Sequence, residues 1–160
     1  MSVDTEPPAN APGAVISSVQ EDLVRIRLTD PETQRIVKNE VVYVRPSRFP
    51  NERLKAEVLR VTGAEADAQV YESTAGIGLG DGVEQSGQLL SVALGPGLLG
   101  QVFDGLENPL EVLAQAHGTF LPRGVEAPAL EETTKWSFAP GVEIGDRVTG
   151  GDVLGTVPEG

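Results

Sequence analysis

The 160-residue sequence contains no cysteine. That excludes disulfides and thiolate metal sites, and it fits a cytosolic setting. Histidine occurs once, at His117, so a transition-metal centre built on imidazoles lacks ligands. The three lysines are Lys38, Lys55 and Lys135, and none follows a glycine. A P-loop needs G-x-x-x-x-G-K-[ST], because glycine amides cradle phosphates and the lysine reaches them. No nucleoside-triphosphate site of that type lies in this sequence. No apolar run approaches the ~18 residues that a membrane helix needs. Residues 1–13, MSVDTEPPANAPG, are acidic and proline-rich with no apolar core, so they read as a flexible tail rather than a signal peptide.

The net charge is −12 and it is unevenly placed. Residues 1–60 hold nine Lys/Arg and nine Asp/Glu; residues 61–160 hold three and fifteen. An acidic surface repels phosphate backbones, which argues against nucleic-acid binding. Solubility is the ordinary reason for such a surplus. Attraction of a basic partner surface to the acidic part, including Glu131 and Glu132, is the sharper one.

Nineteen Gly and twelve Pro punctuate the chain, and such residues mark frequent turns. Between them lie short segments of strand character at 14–19, 22–28, 41–45, 54–62, 66–71 and 88–94. Six strands in about 80 residues predict a small closed antiparallel barrel, because closure removes exposed edges. The segment from Asn108 predicts one short helix: Asn108 as cap, Pro109 at the first position, Glu111 at the third, and His117-Gly118 at the end. Beyond residue 118 the sequence is irregular, with strand character in KWSF (135–138) and in residues 142–157. There the pairs Gly145-Asp146 and Gly151-Asp152 mark hairpin turns. The fold class expected is mainly β: an N-terminal six-stranded antiparallel β-barrel, a short helix, and a second small β-rich module. The domains expected are a tail (1–13), a barrel (14–98), a crossover with the helix (99–118) and the second module (119–160).

Candidate sites are few. Residues 95–100, GPGLLG, match G-x-G-x-x-G formally, but no acidic residue stands about 20 positions on, as a dinucleotide site would require. Residues 76–82, GIGLGDG, read as a loop between strands. Asp104, Glu107 and Glu111 lack an adjacent nucleophile and read as a solvated face. Trp136 reads as an anchor of the second module. No catalytic, cofactor-binding or metal-ligating residue is assigned.

Six stretches stand out in order: residues 69–76 (QVYESTAG), 91–99 (SVALGPGLL), 103–111 (FDGLENPLE), 123–130 (RGVEAPAL), 135–138 (KWSF) and 145–159 (GDRVTGGDVLGTVPE). In that order they resemble the motifs of the A subunits of archaeal/vacuolar-type rotary ATPases. The first 68 residues match less closely: Ala56 stands where the family usually has glycine, residues 43–53 form an altered loop, and the tail is proline-rich. The resemblance implies an N-terminal barrel in the crown of an A3B3 ring, in contact with B subunits and other A subunits. It also implies the start of the outward-projecting non-homologous region, where the peripheral stalk is a possible contact. Mg-ATP would bind in the parent subunit, downstream of residue 160, and no cofactor is expected in this chain. The implied role is assembly, without chemistry of its own, in a complex coupling ATP synthesis or hydrolysis to proton or sodium transport. The implied setting is cytoplasmic and peripheral to the membrane, with no direct insertion. Two alternatives stay open. One is a stand-alone divergent relative acting as a non-catalytic interaction or regulatory module. The other is a biotinyl/lipoyl carrier, which the lack of any lysine beyond Lys135 disfavours.

Overall fold

The computed structural model describes residues 13–131 and 133–159. The expected tail falls almost wholly outside them. The chain divides into two compact units, Met1–Ser91 with Pro122–Val125, and Val92–Leu121 with Glu126–Gly160.

The first unit contains β1 (Ala14–Gln20), β2 (Leu23–Leu28), β3 (Glu40–Arg45), β4 (Leu54–Thr62), β5 (Glu65–Val70) and β6 (Gly82–Leu89). They form a closed antiparallel barrel in the order β1-β2-β5-β4-β3-β6. The inward set follows the period of two that a strand imposes. On β2, Val24, Ile26 and Leu28 are buried while Leu23, Arg25 and Arg27 face out. On β5, Ala66, Ala68 and Val70 point in. Four of the core residues are alanines, at positions 14, 56, 66 and 68. Small side chains suit the narrow bore of a six-stranded barrel, which side chains must fill.

Two strands keep the core supplied by breaking the alternation. Register shifts fall between Ile16 and Ser18 on β1 and between Val58 and Arg60 on β4. An extra residue in a strand moves everything beyond it to the other face. Val19 and Val61, of opposite parity to Ile16 and Val58, therefore still pack on the core. Each lies opposite an inward residue, Val24 and Ala66 respectively.

The sixth strand departs from the sequence expectation. It runs over Gly82–Leu89 and not over 88–94. Its pairing with β3 ends at Glu40↔Leu89, where β3 itself begins. Residues 90–94, apolar apart from Ser91, have no ladder partner, and Leu90, Val92 and Leu94 are exposed. Partners fix a strand, and apolarity alone does not.

In the second unit, α1 spans Leu110–His117, with Leu113 as its buried residue. Gly118, at φ 73, closes it, a conformation glycine adopts without strain. The start differs from expectation. Pro109 is the N-cap, with no side-chain cap hydrogen bond. Asn108 is engaged elsewhere, as described below. The KWSF segment is not a strand, and residues 142–157 contain only one short strand. The pairing is between β7 (Ala139–Pro140) and β8 (Gly155–Thr156). Between them, Gly145 and Gly151 take φ 103 and 99 in two similar turns. In each turn the following aspartate returns a carboxylate to the first N–H, Asp146 to Glu143 and Asp152 to Thr149.

The barrel's core sets the scale of its stability. Replacing Ile26, 1% exposed, with alanine removes buried methyl groups and leaves a void. The expected loss is about 2–5 kcal/mol, read from urea denaturation; a loss near zero would mean that Ile26 is not packed in the native core.

Stability should also depend on Asp81. Burial pushes its pKa up, but hydrogen bonds from Gly78 and Ser47, with Arg48 nearby, hold it below the ordinary value. A folded pKa below the unfolded one means stabilisation that is complete above the unfolded value, near 4. That stabilisation is lost as pH falls through the folded value. The melting temperature should therefore hold from pH 7 to about 5 and fall below about 4. Asp81→Asn should start lower and fall less on acidification. An equal fall in both proteins would remove Asp81 from the account.

Candidate functional site

The residues singled out from the sequence scatter rather than converge. In residues 95–100, the N–H groups of Gly97 and Leu99 both donate to the Glu159 carboxylate, at 2.6 and 3.1 Å. β6 ends at Leu89 and α1 begins at Leu110, so the strand and helix that should flank a dinucleotide loop are missing from its two sides. Residues 76–81 form a loop, as expected, and Gly82 opens β6. Asp81 within it accepts hydrogen bonds from the N–H groups of Gly78 and Ser47, at 2.7 and 3.0 Å. His117 ends α1, and no group of three metal-ligating side chains occurs among the described residues. Trp136 is partly exposed and lies beside Gly97, whose added Cβ would sit 3.5 Å from the indole.

The three carboxylates near α1 are separately employed. Asp104 accepts from the N–H groups of Leu106 and Asn108 and from the Asn108 side-chain amide, at 2.8–2.9 Å. Glu107 accepts from the N–H of Ala93 at 2.9 Å. Glu111 accepts from the Gln115 side chain at 3.4 Å. Asn108 is 3% exposed, and its own oxygen accepts from the N–H of Ala127 at 2.8 Å. That is why it does not cap α1. Its side chain instead joins a loop to Asp104 within the second unit.

The barrel offers a surface. Its register places Ser18, Arg25, Asp67 and Arg60 in one row across four strands. Asp67 accepts from Arg25 Nε at 2.7 Å and from Arg60 Nη2 at 2.6 Å. The two guanidiniums hold that carboxyl below its usual range. Leu23 and Leu59, 41% and 40% exposed, border the same groove of about 380 Å³. A second carboxylate, Glu84, sits between Arg45 and Arg53 in the same way. Such exposed pairs add little to stability; they fix the charge pattern of the outer wall. Sequence reading missed these sets because cross-strand partners such as Arg25 and Asp67 lie 42 positions apart. Tyr71, on the same unit, donates to Glu57 at 2.7 Å. Burial, aided by that bond, pushes its phenol up to about 12.

This barrel agrees with a family model described as the ATP synthase alpha/beta family, beta-barrel domain, which matches residues 22–87. A second, described as the ATPsynthase alpha/beta subunit barrel-sandwich domain, matches residues 127–160. The chain belongs to the ATP synthase alpha/beta family. Within it, the similarity runs to the N-terminal region of A/V-type A chains. A V-type ATP synthase alpha chain of Treponema pallidum is 51% identical over 91% of this chain and 24% of its own length. The A subunit of the A-type ATP synthase of Thermococcus kodakarensis is 56% identical over 66% of this chain and 18% of its own. A catalytic A subunit of the V-type proton ATPase of Acetabularia acetabulum is 52% identical over the same shares. This chain thus spans roughly a fifth to a quarter of these relatives. The Treponema match extends through most of the first 68 residues, where the motif resemblance is weaker. Among the described residues, no helix is long and apolar enough to cross a membrane.

The Asn108 network makes the second unit testable. Asn108→Ala leaves Asp104 and the Ala127 N–H short of a partner, and an unsatisfied buried group costs about 1–3 kcal/mol. Hydrogen exchange at Leu106 and Ala127 should accelerate while β2 and β5 amides keep their protection. Uniform acceleration throughout would mean that the network supports the whole chain.

Proposed function

We propose that this chain is an assembly module of the A subunit of an A/V-type rotary ATPase, and that it holds A and B subunits in a ring without chemistry of its own. The carrying observation is a closed barrel in which every strand has a bonded neighbour on both sides, and whose outer wall carries fixed Arg–carboxylate–Arg sets beside exposed leucines. Such a wall can be read by a neighbouring subunit through side chains alone, with no strand exchange. The names of the relatives, ATP synthase and proton ATPase A chains, support the parent complex. In it, ATP turnover would be coupled to proton or sodium movement. Mg-ATP would bind elsewhere in the full subunit, since no P-loop pattern occurs in these 160 residues. The complex would be cytoplasmic and peripheral to a membrane. A stalk subunit with a basic end is the partner proposed for the acidic part. Glu131 there already accepts hydrogen bonds from Thr133 and Thr134, and Glu132 lies outside the described residues.

The test is direct. Mixed with the B subunit of a related A/V-type ATPase, the chain should form heteromers in native mass spectrometry, and in excess it should lower the yield of A–B rings. Calorimetric titration with Mg-ATP should give no binding heat. Failure to associate at tens of micromolar would reject the assembly role, and a micromolar ATP site would reject the division of labour.

A further inference from the structure

Apart from any assembly role, the first unit holds a segment that belongs to no strand. Pro122–Val125 lies within this unit although about thirty residues of chain separate it from Ser91. Its attachment rests on two residues. Arg123 Nη1 donates to the carbonyl oxygens of Ser73 and Ala75, both at 2.6 Å. Nη2 donates to the Glu52 carboxylate. The guanidinium also lies 5.4 Å from the centroid of the Phe49 ring, and the side chain is 20% exposed. The next residue, Gly124, donates its N–H to the Glu72 carboxylate at 2.7 Å. Gly124 adopts φ +71, and an added Cβ would stand 2.8 Å from the Arg53 nitrogen and 3.2 Å from its carbonyl oxygen. Those are backbone atoms and cannot swing aside.

We infer that the barrel carries a recognition site for an arginyl-glycyl dipeptide, which this chain fills with its own Arg123-Gly124. Each feature of the ligand is read separately. Two carbonyls and a carboxylate take the planar fork, which a lysine ammonium cannot reproduce. The ring takes the guanidinium face. Glu72 takes the main-chain N–H, and the Arg53 backbone excludes any side chain after the arginine. The wall is itself shaped for this, because Gly76 lets Phe49 approach where a Cβ would fall 2.4 Å from the ring. Two carboxylates line the site, Glu52 at the guanidinium and Glu72 at the glycyl N–H, so an emptied site is anionic and suited to a cationic peptide. In cis the ligand is tethered, at an effective concentration on the order of millimolar.

The test removes the arginine from the site and offers it again in trans. The probe is the peptide acetyl-Leu-Pro-Arg-Gly-Val-amide, titrated into the 160-residue chain carrying Arg123→Ala and followed by amide NMR shifts at residues 73–76. Saturable binding is expected, at least about tenfold tighter than to the unsubstituted chain, whose site is already filled. A peptide with lysine for arginine, or alanine for glycine, should bind about tenfold more weakly. Adding Glu52→Gln to the Arg123→Ala chain should weaken the parent peptide by a similar factor. If Arg123→Ala loses the cooperative melt of the barrel, the same titration is made on Arg123→Lys, which keeps a charged stem but not the fork. Absence of binding, equal binding of the lysine or alanine peptide, or indifference to Glu52→Gln would each overturn the inference.

Discussion

The barrel depends on its shortest seam. β1 and β6 share only Ala14↔Val83 and Val15↔Gly82 as ladder partners, whereas β1 and β2 are paired along their whole length. The seam is extended by the loop before β6: Gly80 donates to the Ile16 carbonyl at 2.8 Å, and Ile16 donates to the Asp81 carbonyl at 2.9 Å. That loop has no regular structure to hold it. The Asp81 side chain supplies the hold, taking N–H groups from Ser47, just beyond β3, and from Gly78. A closed sheet has no edge to offer for adventitious strand pairing, but closure is all or none. If the loop lifts, β1 and β6 both become edges. One buried carboxylate thus guards the closure of the barrel.

How much was legible follows from how local each feature is. β2 and β5 were readable because alternation is a property of neighbouring residues, with Val24, Ile26 and Leu28 on one side and Ala66, Ala68 and Val70 on another strand. Leu23 nonetheless faces out, because register decides which parity is inward. β6 was not readable: it reads GVEQSGQL with Val83 as its buried residue. The more apolar residues just after it carry the stronger local signal for a strand. Asn108 has the chemistry of a cap, and no local rule announces that Asp104 and Ala127 claim its side chain instead. The Arg25–Asp67–Arg60 row and the Arg123 contacts to Glu52, Ser73 and Ala75 join residues far apart in sequence, so they required the register and the fold.

The acidic surplus takes on a different meaning once its contacts are known. The second unit has two short strands and one short helix, so most of its backbone N–H groups cannot find partners in ladders. Buried or turn-bound N–H groups must be satisfied somehow. Here carboxylates do much of it. Asp104 serves Leu106 and Asn108, Glu107 serves Ala93, Asp146 serves Glu143, Asp152 serves Thr149, and Glu159 serves Gly97 and Leu99. Asp81 and Glu72 act likewise in the first unit. Hydrogen bonds from the Thr149 backbone and hydroxyl keep Asp152 below its ordinary pKa, as expected of a carboxylate whose charged form is in use. A glycine-rich chain makes many turns, each turn leaves donors unpaired, and an aspartate or glutamate is the acceptor that can reach back to them. The charge that the sequence presents as a surface property thus in good part also holds turns in place. A partner attracted to this region must be recognised by those carboxylates that the turns leave free.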